Sequence, residues 1–118
     1  MNERDLQARF RAFALRILKL CAALPPNAIG RAIAGQLVRS GTSAGANYRA
    51  ACRAKSRADF VNKLAIVEEE IDESAYWLDL IIDGELLKPS LVQPLFVEAD
   101  ELTRIVTASR ITAKSNKD

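Results

Sequence analysis

The sequence predicts an all-α protein, an antiparallel up-down-up-down four-helix bundle. Apolar residues recur at intervals of three and four in four separate stretches, which is the spacing of one face of an α-helix. Short segments that contain proline, glycine or a capping residue separate these stretches, so that successive helices should run antiparallel. With 118 residues, 49% of them hydrophobic, we expect a single domain over residues 1–118 with one core.

The first helix is expected over residues 4–24. Its inner face consists of Leu6, Phe10, Phe13, Ile17, Leu20 and Leu24. Pro25 and Pro26 cannot continue a helix, and Asn27 can cap the next one, so the chain should reverse at this point.

The second helix is expected over residues 28–54. Its inner face consists of Gly30, Ile33, Leu37, Ser40, Ala44, Asn47 and Ala51. Gly35, Gly41 and Gly45 also lie within this helix. Because glycine costs roughly 1 kcal/mol relative to alanine in a helix interior, we expect the close approach of a neighbouring backbone to compensate.

The third helix is expected over residues 57–83, with Ser56 as its N-cap and Gly84 as its stop. Its inner face consists of Phe60, Leu64, Val67, Ile71, Ser74, Leu78 and Ile81. Four further apolar residues lie off this face, namely Ile66, Tyr76, Trp77 and Leu80. Stranded apolar residues mark interfaces, which predicts an oligomer interface here; the alternative is a wide buried stripe whose aromatics cover the ends of the bundle.

The fourth helix is expected over residues 91–112, with Ser90 as its cap and Pro94 near its first turn. Its inner face consists of Val92, Leu95, Ala99, Leu102, Val106 and Ser109. The tail from Thr112 onward is expected to fray.

Two motifs suggest catalysis but lack the residues that catalysis needs. Residues 41–45 match the G-x-S-x-G pattern of hydrolases, yet the chain has no histidine to serve as the base and no strand before the serine. The same glycines lack the Gly-Lys-Ser/Thr ending of a phosphate-binding loop. We therefore interpret residues 41–45 as small residues of a close-packed helix, and we predict no catalytic residues and no enzyme.

The carboxylates of residues 68–73 resemble those of metal-binding bundles, but such sites also use histidines. An exposed acidic face is the favoured interpretation, an oxygen-only magnesium site the alternative, and we predict no metal and no cofactor. Glu70 lies beside the inner face, where it can pair with Arg39 or accept hydrogen bonds from Ser40, Ser43 and Asn47. These groups are expected to form a structural polar network between helices.

Charge divides the chain into two unlike halves. Residues 1–57 contain 11 basic and 2 acidic residues, a net charge of +9, whereas residues 58–118 contain 6 and 13, a net charge of −7. At about 100° per residue, the arginines of the second helix project from one outward face. These are Arg31, Arg39, Arg49 and Arg53. Spread over roughly 30 Å, they could contact several phosphates of a nucleic acid, and the alternative for these arginines is an ordinary solvated face. The unlike charges of the halves also permit attraction within one molecule or between subunits.

Location and cysteine chemistry follow from simple patterns. A charged N-terminus, with Arg16 and Lys19 inside the later apolar run, argues against an export signal or a membrane span, so we expect a cytoplasmic protein. Cys21 and Cys52 should be reduced, partly buried, and too far apart to form a disulfide within one subunit.

Three motifs carry a resemblance to a known family. They are Arg-Ser-Gly-Thr-Ser-Ala-Gly-Ala-Asn-Tyr-Arg at 39–49, Ala-Asp-Phe at 58–60 with Lys63-Leu64, and Glu-Ile-Asp-Glu-Ser-Ala-Tyr-Trp-Leu-Asp-Leu at 70–80. Over nearly the whole chain, the sequence resembles the bacterial four-helix bundle family named after the 23S rRNA intervening-sequence protein. Ala50 departs from the pattern, because related sequences often have an acid there.

The resemblance implies a ring-like homopentamer and no established enzymatic activity. A similar fold serves as the accessory variability determinant of diversity-generating retroelements, a basic pentamer that works with a reverse transcriptase and nucleic acid. By this analogy of fold, RNA, DNA and a reverse transcriptase become candidate partners. The leading hypothesis is a non-catalytic homo-oligomer that binds nucleic acid through its basic half, and the alternative is a protein-only oligomeric scaffold.

Overall fold

Residues 1–116, which the computed structural model describes, form four α-helices. They are α1 (Glu3–Ala22), α2 (Ala28–Ala51), α3 (Arg57–Asp83) and α4 (Pro89–Ser115). Each helix packs against the next, and α1 contacts α4 to complete a bundle of 52 × 21 × 20 Å. The predicted all-α four-helix bundle is therefore confirmed.

Side-chain caps begin the first three helices. Asn27 accepts a hydrogen bond from the Gly30 amide at 2.9 Å, and Ser56 accepts one from the Asp59 amide at 3.1 Å, as expected for both residues. Asn2 caps α1 through a reciprocal bond with Asp5, which the sequence reasoning missed. Helices α1 and α2 end two and three residues before the predicted positions.

The predicted limits of α4 were wrong at both ends. Lys88 is the N-cap and Pro89 occupies the first helical position, where a missing amide costs little, so Ser90 lies inside the helix. Pro94 consequently lies in the second turn, on the exposed side. The helix continues to Ser115, so residues 112–115 are helical, whereas the expected fraying of residues 117 and 118 lies outside the described residues.

The end of α3 differs from the predicted glycine stop by one position. The amide of Leu86 donates to the carbonyl of Ile81 and that of Glu85 donates to Ile82, which is the paired arrangement of a Schellman motif. In this motif the left-handed residue is Glu85, with φ of 57°, while Gly84 has a right-handed conformation. Gly84 is nevertheless constrained, because a Cβ there would lie 2.9 Å from the Leu80 carbonyl oxygen.

The core sits where the helical spacing predicted it. Most of the predicted inner positions are buried, and the exceptions, which are half-buried, are Ile33, Asn47, Phe60 and Ser109. On α2 the buried face also includes Gly41 and Tyr48, and Tyr48 stacks on Phe10 of α1 with ring centroids 5.2 Å apart. The α1–α2 contact is thus wider than the inner face of α2 suggested.

Of the four glycines within α2, Gly41 and Gly45 permit the close approach of α1. A Cβ on Gly45 would lie 3.2 Å from the Phe10 Cβ and 3.6 Å from the Phe10 backbone, and one on Gly41 would lie 3.1 Å from Ile17. The expected compensation therefore applies to these two positions. It was wrong for Gly35, whose side faces open space.

The α1–α2 contact leads to a prediction about size at position 45. We expect Gly45→Leu to overpack the contact with Phe10 and to lower the free energy of unfolding by about 1–3 kcal/mol. Ala44→Leu, at a fully buried position, should have a similar effect. Denaturant titration provides the measurement.

The matched control is Gly35→Leu, which places the same side chain on the same helix where no atom lies within 4 Å. We expect this variant to be at least as stable as the parent, because it also removes a glycine from a helix interior. Equal stability of the two leucine variants would contradict the arrangement of α1 and α2.

Candidate nucleic-acid interface

A groove of about 520 Å³ lies between the outer edges of α1 and α2. Its lining residues are Gln7, Ala8, Phe10, Arg11, Ala14, Thr42, Gly45, Ala46, Arg49 and Arg53. None of them is acidic. Apart from the three arginines, most are small residues, so the arginine side chains project beyond the rest of the groove surface. We call this feature the arginine groove.

The three arginines of the groove are exposed and free of protein partners. Within residues 1–116, no hydrogen bond or ion pair joins the guanidinium group of Arg11, Arg49 or Arg53 to another side chain or to a backbone atom. Three guanidinium groups converge here, each able to donate up to five hydrogen bonds. An anion in the groove would therefore meet donors that are not already satisfied.

The groove arises from the pairing of two helices. Arg49 lies on the outward side of the last turn of α2, Arg53 lies in the turn just beyond its end, and Arg11 of α1 lines the same groove. The sequence reasoning placed Arg49 and Arg53 together but missed Arg11, because it projected α2 alone. The hairpin turn at Pro25 and Pro26 was the available signal, since antiparallel pairing brings the middle of α1 beside the second half of α2.

Arg39, also predicted for the nucleic-acid interface, lies in a different environment. Its guanidinium forms an ion pair with Glu70 at 3.0 Å and a second ion pair with Glu73, both on α3. Glu73 also accepts a hydrogen bond from the Trp77 indole at 3.0 Å. The indole and Arg39 together lower the pKa of Glu73, so its carboxylate is held in the charged form.

Arg31, the fourth predicted arginine, lies at the start of α2. Its guanidinium donates to the carbonyl of Pro26 at 3.1 Å, and so supports the turn between the first two helices. The structure thus divides the predicted stripe: Arg49 and Arg53 share the groove, Arg39 faces α3, and Arg31 stands at the turn.

Of the polar contacts expected between α2 and α3, the pair of Glu70 with Arg39 forms, whereas Ser40, Ser43 and Asn47 have partners other than Glu70. Glu70 pairs with Arg39, whereas the buried Ser40 hydroxyl lies 2.8 Å from that of Ser74, which was predicted only as an inner-face residue. Ser74 also donates to the Glu70 carbonyl at 3.0 Å. The side chains of Ser43 and Asn47, the other predicted members, bond to each other within α2 at 3.0 Å.

The residues predicted for self-association lie on the outward side of α3. Ile66, Tyr76 and Leu80 are 42%, 57% and 39% exposed. Trp77 is half-buried against the core, with its ring at the edge of Tyr76. We call these four residues the apolar α3 face. Three of their side chains are accessible to a partner, and the fourth, that of Trp77, packs largely against the core of its own subunit.

The acidic residues of α3 are only partly a solvated face. Glu68 is half-buried and accepts hydrogen bonds from Thr107 and Arg110 of α4, so it joins the two helices. Glu69 and Asp72 remain exposed beside it. In the described part of the chain, no group of three acidic or cysteine side chains is placed to hold a metal ion.

The two cysteines are free and half-buried, as expected. Burial raises the pKa of Cys21 to about 11, and burial is also the main reason for the raised pKa of Cys52. Such thiols are poor nucleophiles at neutral pH, because little thiolate is present.

Among residues 1–116, no helix combines the length and the apolar character that a membrane span requires.

These features define the class: an all-α four-helix bundle protein with a basic groove along its first helical hairpin. The chain belongs to the 23S rRNA-intervening sequence protein family, whose sequence profile matches residues 4–108. The family resemblance of the three motifs is thereby confirmed.

A solved structure is similar over almost its whole length. It is a crystal structure of a protein of unknown function from the S23 ribosomal protein family of Bacteroides thetaiotaomicron, with 34% sequence identity and a TM-score of 0.86. The similarity covers 93% of this chain and 98% of the other. A search of curated proteins found no match.

The contacts of Glu73 predict a pH response that Trp77 reports. Because the folded-state pKa of Glu73 is lowered, its contacts stabilise the protein at neutral pH, and this contribution disappears as the pH falls through the lowered value. Trp77 is the single tryptophan. We expect its fluorescence to change in acid, below about pH 4, where an ordinary glutamate has already begun to titrate.

Glu73→Gln should abolish this transition, since its side chain can still accept from the indole but no longer ionises. Glu69→Gln, which removes an exposed carboxylate of the same helix, serves as the control and should keep the transition. The same acid transition in Glu73→Gln would contradict the assignment.

Proposed function

We propose that the protein is a non-catalytic, homo-oligomeric nucleic-acid-binding module that contacts the phosphate backbone through the arginine groove. The observation that carries this proposal is the convergence of Arg11, Arg49 and Arg53 without any acidic neighbour in the lining. Each of these guanidiniums can form charge-assisted hydrogen bonds to phosphate without first breaking a bond within the protein.

The distribution of charge over the whole chain also favours nucleic-acid binding on the groove side. The half that contains α1 and α2 has a net charge of +9, and the half that contains α3 and α4 has −7. A polyanion is therefore attracted to the groove side and repelled by the opposite side. Among the four arginines predicted from sequence, we assign the direct role to Arg49 and Arg53, and a smaller one to Arg31 and Arg39, which already have partners.

Family membership adds an argument of a different kind. The family is named after an intervening sequence of 23S rRNA, which makes a structured RNA the first ligand to test. A ring of five copies, a cytoplasmic location, and cooperation with RNA, DNA or a reverse transcriptase are further parts of the proposal that rest on the resemblance and on the analogy of fold.

The proposal predicts weak RNA binding by a groove variant. We expect Arg11→Ala/Arg49→Ala/Arg53→Ala to bind a labelled RNA hairpin at least about tenfold more weakly, because one charge-assisted hydrogen bond contributes roughly 1.5–3 kcal/mol. Fluorescence anisotropy at roughly 50 and 200 mM salt measures both affinity and its salt dependence. The salt slope should fall by about 1 for each phosphate that the variant no longer neutralises.

Arg104→Ala is the matched control. It removes one guanidinium group, against three in the groove variant, from an exposed position of α4 outside the groove, and should leave binding nearly unchanged. Circular dichroism should report the same helix content in both variants. Unaltered binding by the triple variant, or no RNA binding by the parent, would refute the proposal.

A second candidate function, a protein-only scaffold, is favoured by the apolar α3 face. Ile66, Tyr76 and Leu80 are exposed on the acidic half of the molecule, opposite in charge to the groove side. A second copy of this chain could cover that face with its basic α1–α2 side. Copies joined in this head-to-tail manner form closed rings when the rotation between them closes.

The scaffold hypothesis predicts that one substitution in the apolar α3 face weakens self-association. We expect Leu80→Asp to reduce the molar mass measured by light scattering, because it places a charge in the apolar α3 face. Val97→Asp, at a similarly exposed apolar position of α4, is the control and should assemble like the parent.

Increasing salt separates the two ways of holding such an assembly. An interface held by charge should loosen as salt screens it, whereas an interface held by apolar contacts should persist. A parent protein that is monomeric at all salt concentrations would exclude the scaffold and the oligomeric part of the first proposal.

A further inference from the structure

The arginine groove also indicates which form of nucleic acid it fits, an inference that rests on the proposed function. Proteins that bind single strands combine a basic groove with exposed aromatic rings on which bases stack. Here the two rings nearest the groove, Phe10 and Tyr48, are 1% and 4% exposed and stack on each other beneath its floor. No aromatic face is therefore available to a base in the groove.

The most exposed aromatic side chain, Tyr76, lies on the acidic half of the molecule and not beside the groove. Tyr76 is exposed on α3, and the adjoining Trp77 donates to Glu73. A strand that followed these rings would pass over carboxylates that include Glu69 and Glu73. Stacking contributes roughly 1–3 kcal/mol per base, so its absence from the groove removes the principal stabilisation of a bound single strand.

The groove also has few groups that could read bases. Its floor is formed by Ala8, Ala14, Gly45 and Ala46, and the hydroxyl of Thr42 is already bonded to the Val38 carbonyl at 2.7 Å. Gln7 is the single side-chain amide in the lining. In an RNA duplex the deep, narrow major groove keeps base edges away from side chains, so contacts from the three arginines fall on phosphates, which position a ligand without specifying its sequence.

The positions of the arginines suit a ligand that is already ordered. Arg49 lies in the last turn of α2 and Arg53 in the turn that follows it, whereas Arg11 lies on α1. The three positive charges therefore come from separate points of two packed helices and the turn after α2. A duplex presents phosphates at regular intervals and at high charge density, whereas a single strand must lose conformational freedom to match them.

We propose that the arginine groove binds the backbone of base-paired nucleic acid, in preference to single strands and independently of sequence. The test compares three RNA probes in anisotropy titrations: a hairpin, each of the separate strands of its stem, and a hairpin with permuted base pairs. We expect the two hairpins to bind alike and each strand at least about tenfold more weakly.

A designed variant tests the reason for this preference. Ala46→Tyr places an exposed ring in the groove beside Arg49, and should shift the ratio of single-strand to hairpin affinity at least about fivefold toward the single strands. The triple arginine variant should lose the hairpin binding.

The outcomes separate this inference from the proposed function. Single strands that bind the parent as tightly as the hairpin, or a permuted hairpin that binds at least about tenfold more weakly, would overturn the inference and leave nucleic-acid binding in place. A preference for hairpins that survives in the triple variant would show that the groove is not its source. If no probe binds, the proposed function fails and the inference fails with it.

Discussion

The close approach of α1 and α2 is the constraint on which the rest of the structure depends. Gly41 and Gly45 leave room for Ile17 and Phe10, and Gly30 lies against the Pro25 carbonyl, where a Cβ would overlap with its oxygen. Glycine is costly within a helix, and packing between the two helices compensates. The approach also sets the groove, because Gly45, which leaves room for Phe10, is also part of the floor between the arginines.

Contact between α2 and α3 explains why arginines of one helix have different roles. The hydroxyls of Ser40 and Ser74, both fully buried, form a hydrogen bond with each other. This bond sets which sides of α2 and α3 are in contact. Arg39 then lies beside Glu70 and Glu73 and has its charge balanced within the subunit. Arg49 of α2, and Arg53 just beyond the end of that helix, lie on the side turned toward α1, where no lining residue of the groove is acidic.

The sequence was sufficient for the elements and their buried faces, because burial imposes a period on each helix separately. All six inner residues named for α1 are buried. The sequence was insufficient where the surroundings of a residue depend on how two helices pack together. Arg11 joins the groove, Gly35 faces open space and Tyr48 is buried through pairings that no single-helix projection contains. Proline at the first position of α4 set that helix's start, although the serine after it looked like the better cap.

The separation of charge between the two helical hairpins has a consequence for how the molecule approaches other molecules. The positive half and the negative half lie side by side along a body 52 Å long and about 20 Å wide, so the electric dipole moment points across the short dimension. The field of a polyanion exerts a torque on this dipole, which turns the α1–α2 side toward the polyanion before contact. Rotation during approach thus selects a broadside encounter, which presents the full length of the first hairpin.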